Sequence, residues 1–162
     1  MFIATLLTLL ATADSAPLDF RCDTLEVDSK AGRSLCTGNV VVIRGPVVMC
    51  CDKFEAQAAE DWQWKSFNCR GNVKAQRLSE RVWAERATFQ LDDSIIILQG
   101  SPILERGRSL MTGTKVSIDL KTDQANVASP RGRVSKNVQT ETPYPTITKL
   151  RDTCPLPPKP KF

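Results

Sequence analysis

The stretch CTGNVVVIRGPVVMCCDKFEAQ, residues 36–57, contains two apolar runs separated by a Gly-Pro turn signal. Small and apolar residues recur at every second position along residues 36–42, which is the period of a β-strand with one buried face. In the second run the inward series steps from Cys51 to Phe54, so residues 52 and 53 are predicted to form a bulge or corner. The stretch therefore predicts two antiparallel strands joined by a short turn, with a corner inside the second strand.

The same pattern recurs along the chain. Four segments share a small residue, a polar pair and then apolar residues two apart: FRCDTLEV (20–27), MCCDKFEA (49–56), VWAERATF (82–89) and MTGTKVSI (111–118). Their small residues are Cys22, Cys51, Ala84 and Gly113, and the glycines Gly38, Gly71 and Gly100 recur between them. Self-similarity at a nearly fixed spacing indicates repeated structural units, and each unit here holds about two strand pairs.

These residues resemble a known family. GNVVVIRGPVVMCCDKFEA (38–56) is similar to the repeated motif of OstA-like domains, which occur in the periplasmic lipopolysaccharide-transport protein LptA, in LptC and in the N-terminal domain of LptD. The resemblance covers residues 18–128. It departs from the motif at Gly100-Ser101-Pro102, which replaces Gly-Asn-Val, and at Gly113-Thr114, which replaces Ala-Asp.

The resemblance implies a fold and a function. The implied fold is all-β: an open, twisted antiparallel β-jellyroll, a V-shaped stack of two sheets built from repeated strand pairs. Its apolar groove would bind the acyl chains of lipopolysaccharide and transfer them across the periplasm to the outer membrane, as part of a trans-envelope bridge. The implied location is the periplasm.

Inward-facing apolar residues are the candidate lipid-binding set. Small side chains lie among them, so two sheets packed through this face would leave space for lipid chains. Burial of such a chain contributes about 0.8 kcal/mol per methylene. The alternative is an ordinary closed core. The candidates are Val40, Val42, Val47, Met49, Phe54, Val73, Phe89, Leu91, Met111, Val116 and Ile118.

The resemblance also implies partners. Lipopolysaccharide, through its lipid A, is the expected cargo, and LptC-like and LptD-like OstA domains are expected to pair with the terminal strands. A head-to-tail homo-oligomer is the corresponding self-assembly, and no nucleic acid is expected. Two alternatives stay open: a structural β-scaffold that assembles edge to edge without lipid, and an inner-membrane-anchored LptC-like component.

The two ends of the chain differ from its body. Residues 1–13 contain an uncharged apolar run followed by Ala-Thr-Ala, which predicts a signal peptide cleaved between residues 13 and 16. An uncleaved run would correspond to the anchored alternative. Residues 129–162 form a basic, proline-rich tail, which we expect to be extended or disordered rather than packed.

Catalysis has little support in the sequence. The chain has no histidine, which removes the commonest general base and a common zinc ligand. Asp23, Asp52 and Glu85 recur at equivalent positions, and we interpret them as corner residues rather than as the stacked acids of a polysaccharide-cleaving solenoid. No Cys-x-x-Cys pair is present. We therefore expect no enzyme, no catalytic residue, no metal site and no cofactor.

Six cysteines leave the redox state open. Cys22, Cys36, Cys51 and Cys69 fall on the inward alternation, where a free thiol acts as a small hydrophobic group. Cys50 faces the opposite way, and Cys154 lies in the tail. Export would favour disulfides, but the sequence selects no pairing.

Overall fold

The computed structural model describes residues 17–61, 63–107, 109–134 and 144–161. These residues form twelve β-strands, all paired antiparallel: β1 Leu18–Arg21, β2 Thr24–Asp28, β3 Arg33–Arg44, β4 Val47–Ala58, β5 Trp64–Arg77, β6 Glu80–Gln90, β7 Ile95–Gln99, β8 Ile103–Arg106, β9 Ser109–Thr112, β10 Lys115–Asp119, β11 Gln124–Ala128 and β12 Arg131–Val134. The predicted signal peptide lies outside the described residues.

The four long strands β3–β6 each run through two layers. In layer A, β1 pairs with the second half of β3, and the order continues through β4, β5 and β6 to β8, β9 and β12. In layer B, β2 pairs with the first half of β3, and the order ends in β7, β10 and β11. The sheet does not close. The predicted all-β, open antiparallel jellyroll is therefore confirmed.

Corners divide the long strands between the layers. The pairing of β3 with β4 shifts between Thr37 and Val40, and that of β4 with β5 shifts between Cys50 and Lys53. The second shift leaves Cys51 and Asp52 out of register while Lys53 pairs with Arg70, so the bulge predicted at residues 52 and 53 is present but lies one residue earlier. Each corner lets one strand contribute its apolar residues to both layers.

The repeated acids hold these corners together. The Asn39 amide donates to the Asp23 carboxylate at 2.9 Å, and the Asn72 amide donates to that of Asp52 at 3.0 Å. Each carboxylate lies over a glycine with positive φ, and a Cβ added to Gly71 would be 2.5 Å from Asp52 Oδ2. Glycine is needed because it has no Cβ and adopts positive φ at low cost. Through these contacts, Asp23 and Asp52 act as corner residues of the sheet.

The inner faces of the two layers form the main core. Its fully buried members include Val40, Val73, Leu98, Leu104 and Val116. Layer A contributes Val40 and Leu104, for example, while Leu98 and Val116 belong to layer B. The apolar alternation read from the sequence thus buries one face of each layer against the other.

The C-terminal segment packs on the outer face of layer A. Residues 144–161 contain no helix or strand, yet Leu156 is only 7% exposed and packs with Val41, Ile43 and Val48. The Cys50–Cys154 disulfide ties the segment to β4. The expectation of an unpacked tail is therefore wrong for these residues, because the outward faces of β3 and β4 carry an apolar patch that the segment covers. The strand β12 also lies within the predicted tail.

Hydrogen bonds fix the path of this segment. Gln76 donates to the Pro145 carbonyl at 3.1 Å, and the Trp83 indole donates to the Pro157 carbonyl at 3.0 Å. The Lys159 ammonium reaches the Ser101 carbonyl at 3.0 Å. The segment therefore begins beside β5, crosses to β3 and β4, and returns across β6.

Candidate functional site

An apolar cleft opens between the two layers. Its volume is about 410 Å³, which lies in the range of small-molecule sites. Layer A contributes Val42, Val47 and Met49 to its lining, and layer B contributes Phe54 and Phe89. The layers face each other here through side chains that leave unfilled space.

A row of phenylalanines forms the layer B wall. The ring centroids of Phe54 and Phe67 are 5.4 Å apart, and those of Phe67 and Phe89 are 6.1 Å apart. Phe67 and Phe89 are cross-strand partners on β5 and β6, so their side chains project from the same face of the sheet. This wall presents the apolar rings of three phenylalanines to the space between the layers.

A second cleft of about 340 Å³ adjoins the first toward β1 and β2. The two share the lining residues Leu18, Arg44, Phe54 and Phe67. Leu25, on the open edge strand β2, belongs to the second lining. The apolar space therefore extends from the centre of the fold toward its N-terminal edge.

Basic side chains lie at one end of the first cleft. Arg44 and Arg77 are both cross-strand partners of Val47, and the Arg44 guanidinium lies 5.6 Å from the Phe89 ring centroid. Arg77 forms an ion pair with Asp123, and Lys121 donates to the Asp92 carbonyl at 3.3 Å. The lining thus combines an apolar interior with three cations, Arg44, Arg77 and Lys121.

The eleven predicted residues divide into two groups. Val42, Val47, Met49, Phe54 and Phe89 line the first cleft, and Leu91 joins Phe54 in the second. The others lie on the inner face but line neither cleft. They are Val40, Val73, Val116 and Ile118, which are buried, and Met111, which packs against the same core.

Sequence reasoning missed several lining residues. Phe67, Ile96 and Leu120 are apolar, and the alternation of two within their strands was the available signal for Phe67 and Ile96. Arg44 and Arg77 continue the inward alternation of β3 and β5. They were missed because an apolar pattern does not select a charged residue at a strand end.

Four cysteines form disulfides, and two are free thiols. Cys22 is bonded to Cys36 on the inner face, and Cys50 is bonded to Cys154 on the outer face. Cys51 and Cys69 are free and buried, and Cys69 lines the first cleft. Burial raises the pKa of the Cys69 thiol well above its ordinary value, and a hydrogen bond with Cys51 adds to the effect. Cys69 is therefore protonated near neutral pH.

No helix among the described ranges is long and apolar enough to cross a membrane.

Comparison with solved structures places the fold. The chain is similar to LptH from Pseudomonas aeruginosa, the LptA-homologous periplasmic component of a conserved lipopolysaccharide transport device, with a TM-score of 0.66 and 14% sequence identity. The match covers 82% of this chain and 92% of LptH. At this identity the likeness establishes the fold alone.

Comparison of the sequence itself is more specific. No curated protein sequence matches the chain. Residues 20–124 match the family model described as the LptA/LptD N-terminal domain lipopolysaccharide transport protein. The matched range includes β2–β10 and the residues that line both clefts except Leu18. The chain therefore belongs to the LptA/LptD N-terminal domain family of lipopolysaccharide transport proteins.

Proposed function

We propose that the chain binds the acyl chains of lipopolysaccharide in the cleft between its layers and passes the lipid across the periplasm toward the outer membrane. The observation that carries this proposal is the apolar cleft of about 410 Å³, with its phenylalanine wall. Acyl chains would displace water from this surface, at about 0.8 kcal/mol per methylene. Several chains would bind firmly, and no covalent step is needed for release.

The charge at the cleft supports an amphiphilic ligand with an anionic head. Arg44, Arg77 and Lys121 lie where a lipid head would emerge from the apolar lining. The phosphates of lipid A would accept hydrogen bonds from the Arg44 guanidinium and, in place of the Asp123 carboxylate, from that of Arg77. A neutral hydrocarbon would gain nothing from these cations.

The open edges support transfer between domains. Every residue of β2 is exposed, and Val27 is 62% exposed. Unpaired edge strands bind further strands through their backbone. We propose that β1 and β2 at one end and β11 and β12 at the other pair with LptC-like and LptD-like domains, or with further copies of this chain head to tail.

A lipid-free scaffold is the competing function. It is favoured by the closed part of the inner face, where Val40, Val73 and Val116 are fully buried in the core. The open cleft favours lipid carriage, because a pure scaffold has no need of unfilled apolar space.

Mass spectrometry of co-purifying lipid tests the proposal. The full chain, exported in lipopolysaccharide-producing bacteria, should retain lipopolysaccharide. Met49→Glu places a charge in the cleft lining and should lower the retained amount at least about tenfold, since an unpaired charge opposes apolar burial. Lys74→Glu is the matched control, because Lys74 pairs with Cys50 on the outer face.

The scaffold alternative predicts a different result. A wild-type chain free of lipid, or equal lipid in wild type and Met49→Glu, would contradict lipid binding in this cleft.

A further inference from the structure

Two cysteine pairs occupy equivalent positions in consecutive repeats. Cys22 precedes the corner acid Asp23, and Cys51 precedes Asp52. In the same way, Cys36 and Cys69 each lie two residues before a corner glycine. The first pair is a disulfide and the second is two free thiols.

The two corners share their local geometry. Cys22 Sγ lies 3.3 Å from the Thr24 carbonyl oxygen, and Cys51 Sγ lies 3.1 Å from that of Lys53. The glycines that follow the two partner cysteines have φ of +83° and +78°. The asparagine-to-aspartate bonds are 2.9 and 3.0 Å. The same backbone frame therefore presents both pairs of side chains.

This frame satisfies the spacing of a disulfide. Cys22 and Cys36 have Cα atoms 5.7 Å apart, inside the range for disulfides. Cys51 and Cys69 hold the matching places in the next repeat, both are buried, and Cys51 contributes to the raised pKa of the Cys69 thiol, so the two side chains are neighbours. We propose that Cys51 and Cys69 are a site of oxidative modification, at which a disulfide forms that repeats the Cys22–Cys36 bond one unit further along the sheet.

The reaction is thiol–disulfide exchange with a small disulfide such as oxidised glutathione. One cysteine thiolate attacks the glutathione disulfide and releases one glutathione thiolate, and the second cysteine then attacks the mixed disulfide and releases the other. Two electrons pass from the cysteines to glutathione, and the two cysteine protons are taken up by the released thiolates. Burial keeps Cys69 protonated once the chain is folded, so the bond forms during folding, before the layers close.

Peptide mapping of the refolded full chain tests this proposal. The reduced chain is refolded in reduced and oxidised glutathione, acid-quenched, alkylated with iodoacetamide in denaturant, and digested with trypsin without reduction. The variant Cys50→Ser/Cys154→Ser removes the outer-face pair, which otherwise shares a peptide with Cys51. Cleavage after Lys30, Arg44 and Lys65 separates the four remaining cysteines.

The expected product is a peptide pair joined through Cys51 and Cys69, with alkylation at both reduced at least about tenfold relative to the reduced chain. Cys51→Ser in the same background should restore alkylation of Cys69. Wild type, run in parallel, should lose iodoacetamide labelling at every cysteine. Alkylation of both Cys51 and Cys69 beside an intact Cys22–Cys36 bond would overturn the proposal, and so would a bond from either to a different cysteine.

Discussion

At the scale of residues, the corner explains why the sequence repeats. At the corners of β3 and β5, an acid, a glycine with positive φ and an asparagine meet, as at Asp52, Gly71 and Asn72. The next corner keeps the backbone with different residues: Gly100 has φ of +81° and Ser101 of +48°. Asparagine and serine are both compatible with this conformation, so the departure from Gly-Asn-Val leaves the corner intact.

Gly71→Ala should destabilise the fold by about 2 kcal/mol or more, as measured by urea unfolding. Its φ of +78° opposes a Cβ, and that Cβ would lie 2.5 Å from the Asp52 carboxylate. Gly32→Ala is the matched control, since φ is +62° but the nearest atom is 3.4 Å away. Gly32→Ala should lower the free energy of unfolding by only about 1 kcal/mol. Equal losses in the two variants would show that the corner contact contributes nothing.

The buried thiol predicts a dependence on alkaline pH. Burial raises the pKa of Cys69 in the folded chain above the ordinary 9.0, so the folded state keeps a proton that the unfolded state releases. The stability from this group is present below about pH 9 and is lost above it, by up to about 1.4 kcal/mol per pH unit. The variant Cys51→Ala keeps the Cys69 thiol and cannot form a disulfide between residues 51 and 69. Its free energy of unfolding, measured by urea titration, should therefore fall relative to that of Cys51→Ala/Cys69→Ala between about pH 8 and pH 10. If the difference in free energy of unfolding between the two variants stayed constant over this pH range, the pKa of Cys69 would not be raised.

At the scale of elements, the strands were predictable and the C-terminal segment was not. The alternation of apolar residues along β3, β4 and β5 predicted which residues face inward, and it also predicted that Cys50 faces outward. The segment 144–161 has no such period. It docks through Leu156, with Ile147 and the disulfide-bonded Cys154 packed beside it, and these scattered residues among prolines carry no pattern from which docking could be inferred.

Leu156→Ala should lower the free energy of unfolding by about 2 kcal/mol, because the lost side chain leaves Val41, Ile43 and Val48 poorly covered. Leu150→Ala, in the same segment at 38% exposure, should change it by no more than about 0.5 kcal/mol. Urea unfolding of both variants with the Cys50–Cys154 bond intact provides the comparison. Indistinguishable stabilities would mean that the segment is tethered by its disulfide without packing.

At the scale of the whole molecule, two facing layers leave apolar space at one place and fill it at another. Val40 and Val42 are two residues apart on the same face of β3, yet Val42 lines the cleft while Val40 is 1% exposed in the closed core. The inward-facing residues were therefore predictable from alternation, but which of them line the open cleft was not. The position of the cleft depends on the distance between the two layers, which cannot be inferred from the sequence of any one strand.

Photo-crosslinking tests lipid carriage in the cleft most directly. A benzophenone amino acid at Met49, in the full chain incubated with lipopolysaccharide, should form an adduct with a lipid A acyl chain, because Met49 lines the apolar cleft. The same probe at Lys74, on the outer face beside Cys50, should form none. If the Met49 probe yields only intramolecular products while lipopolysaccharide is present, the cleft does not carry lipid and the central claim is wrong.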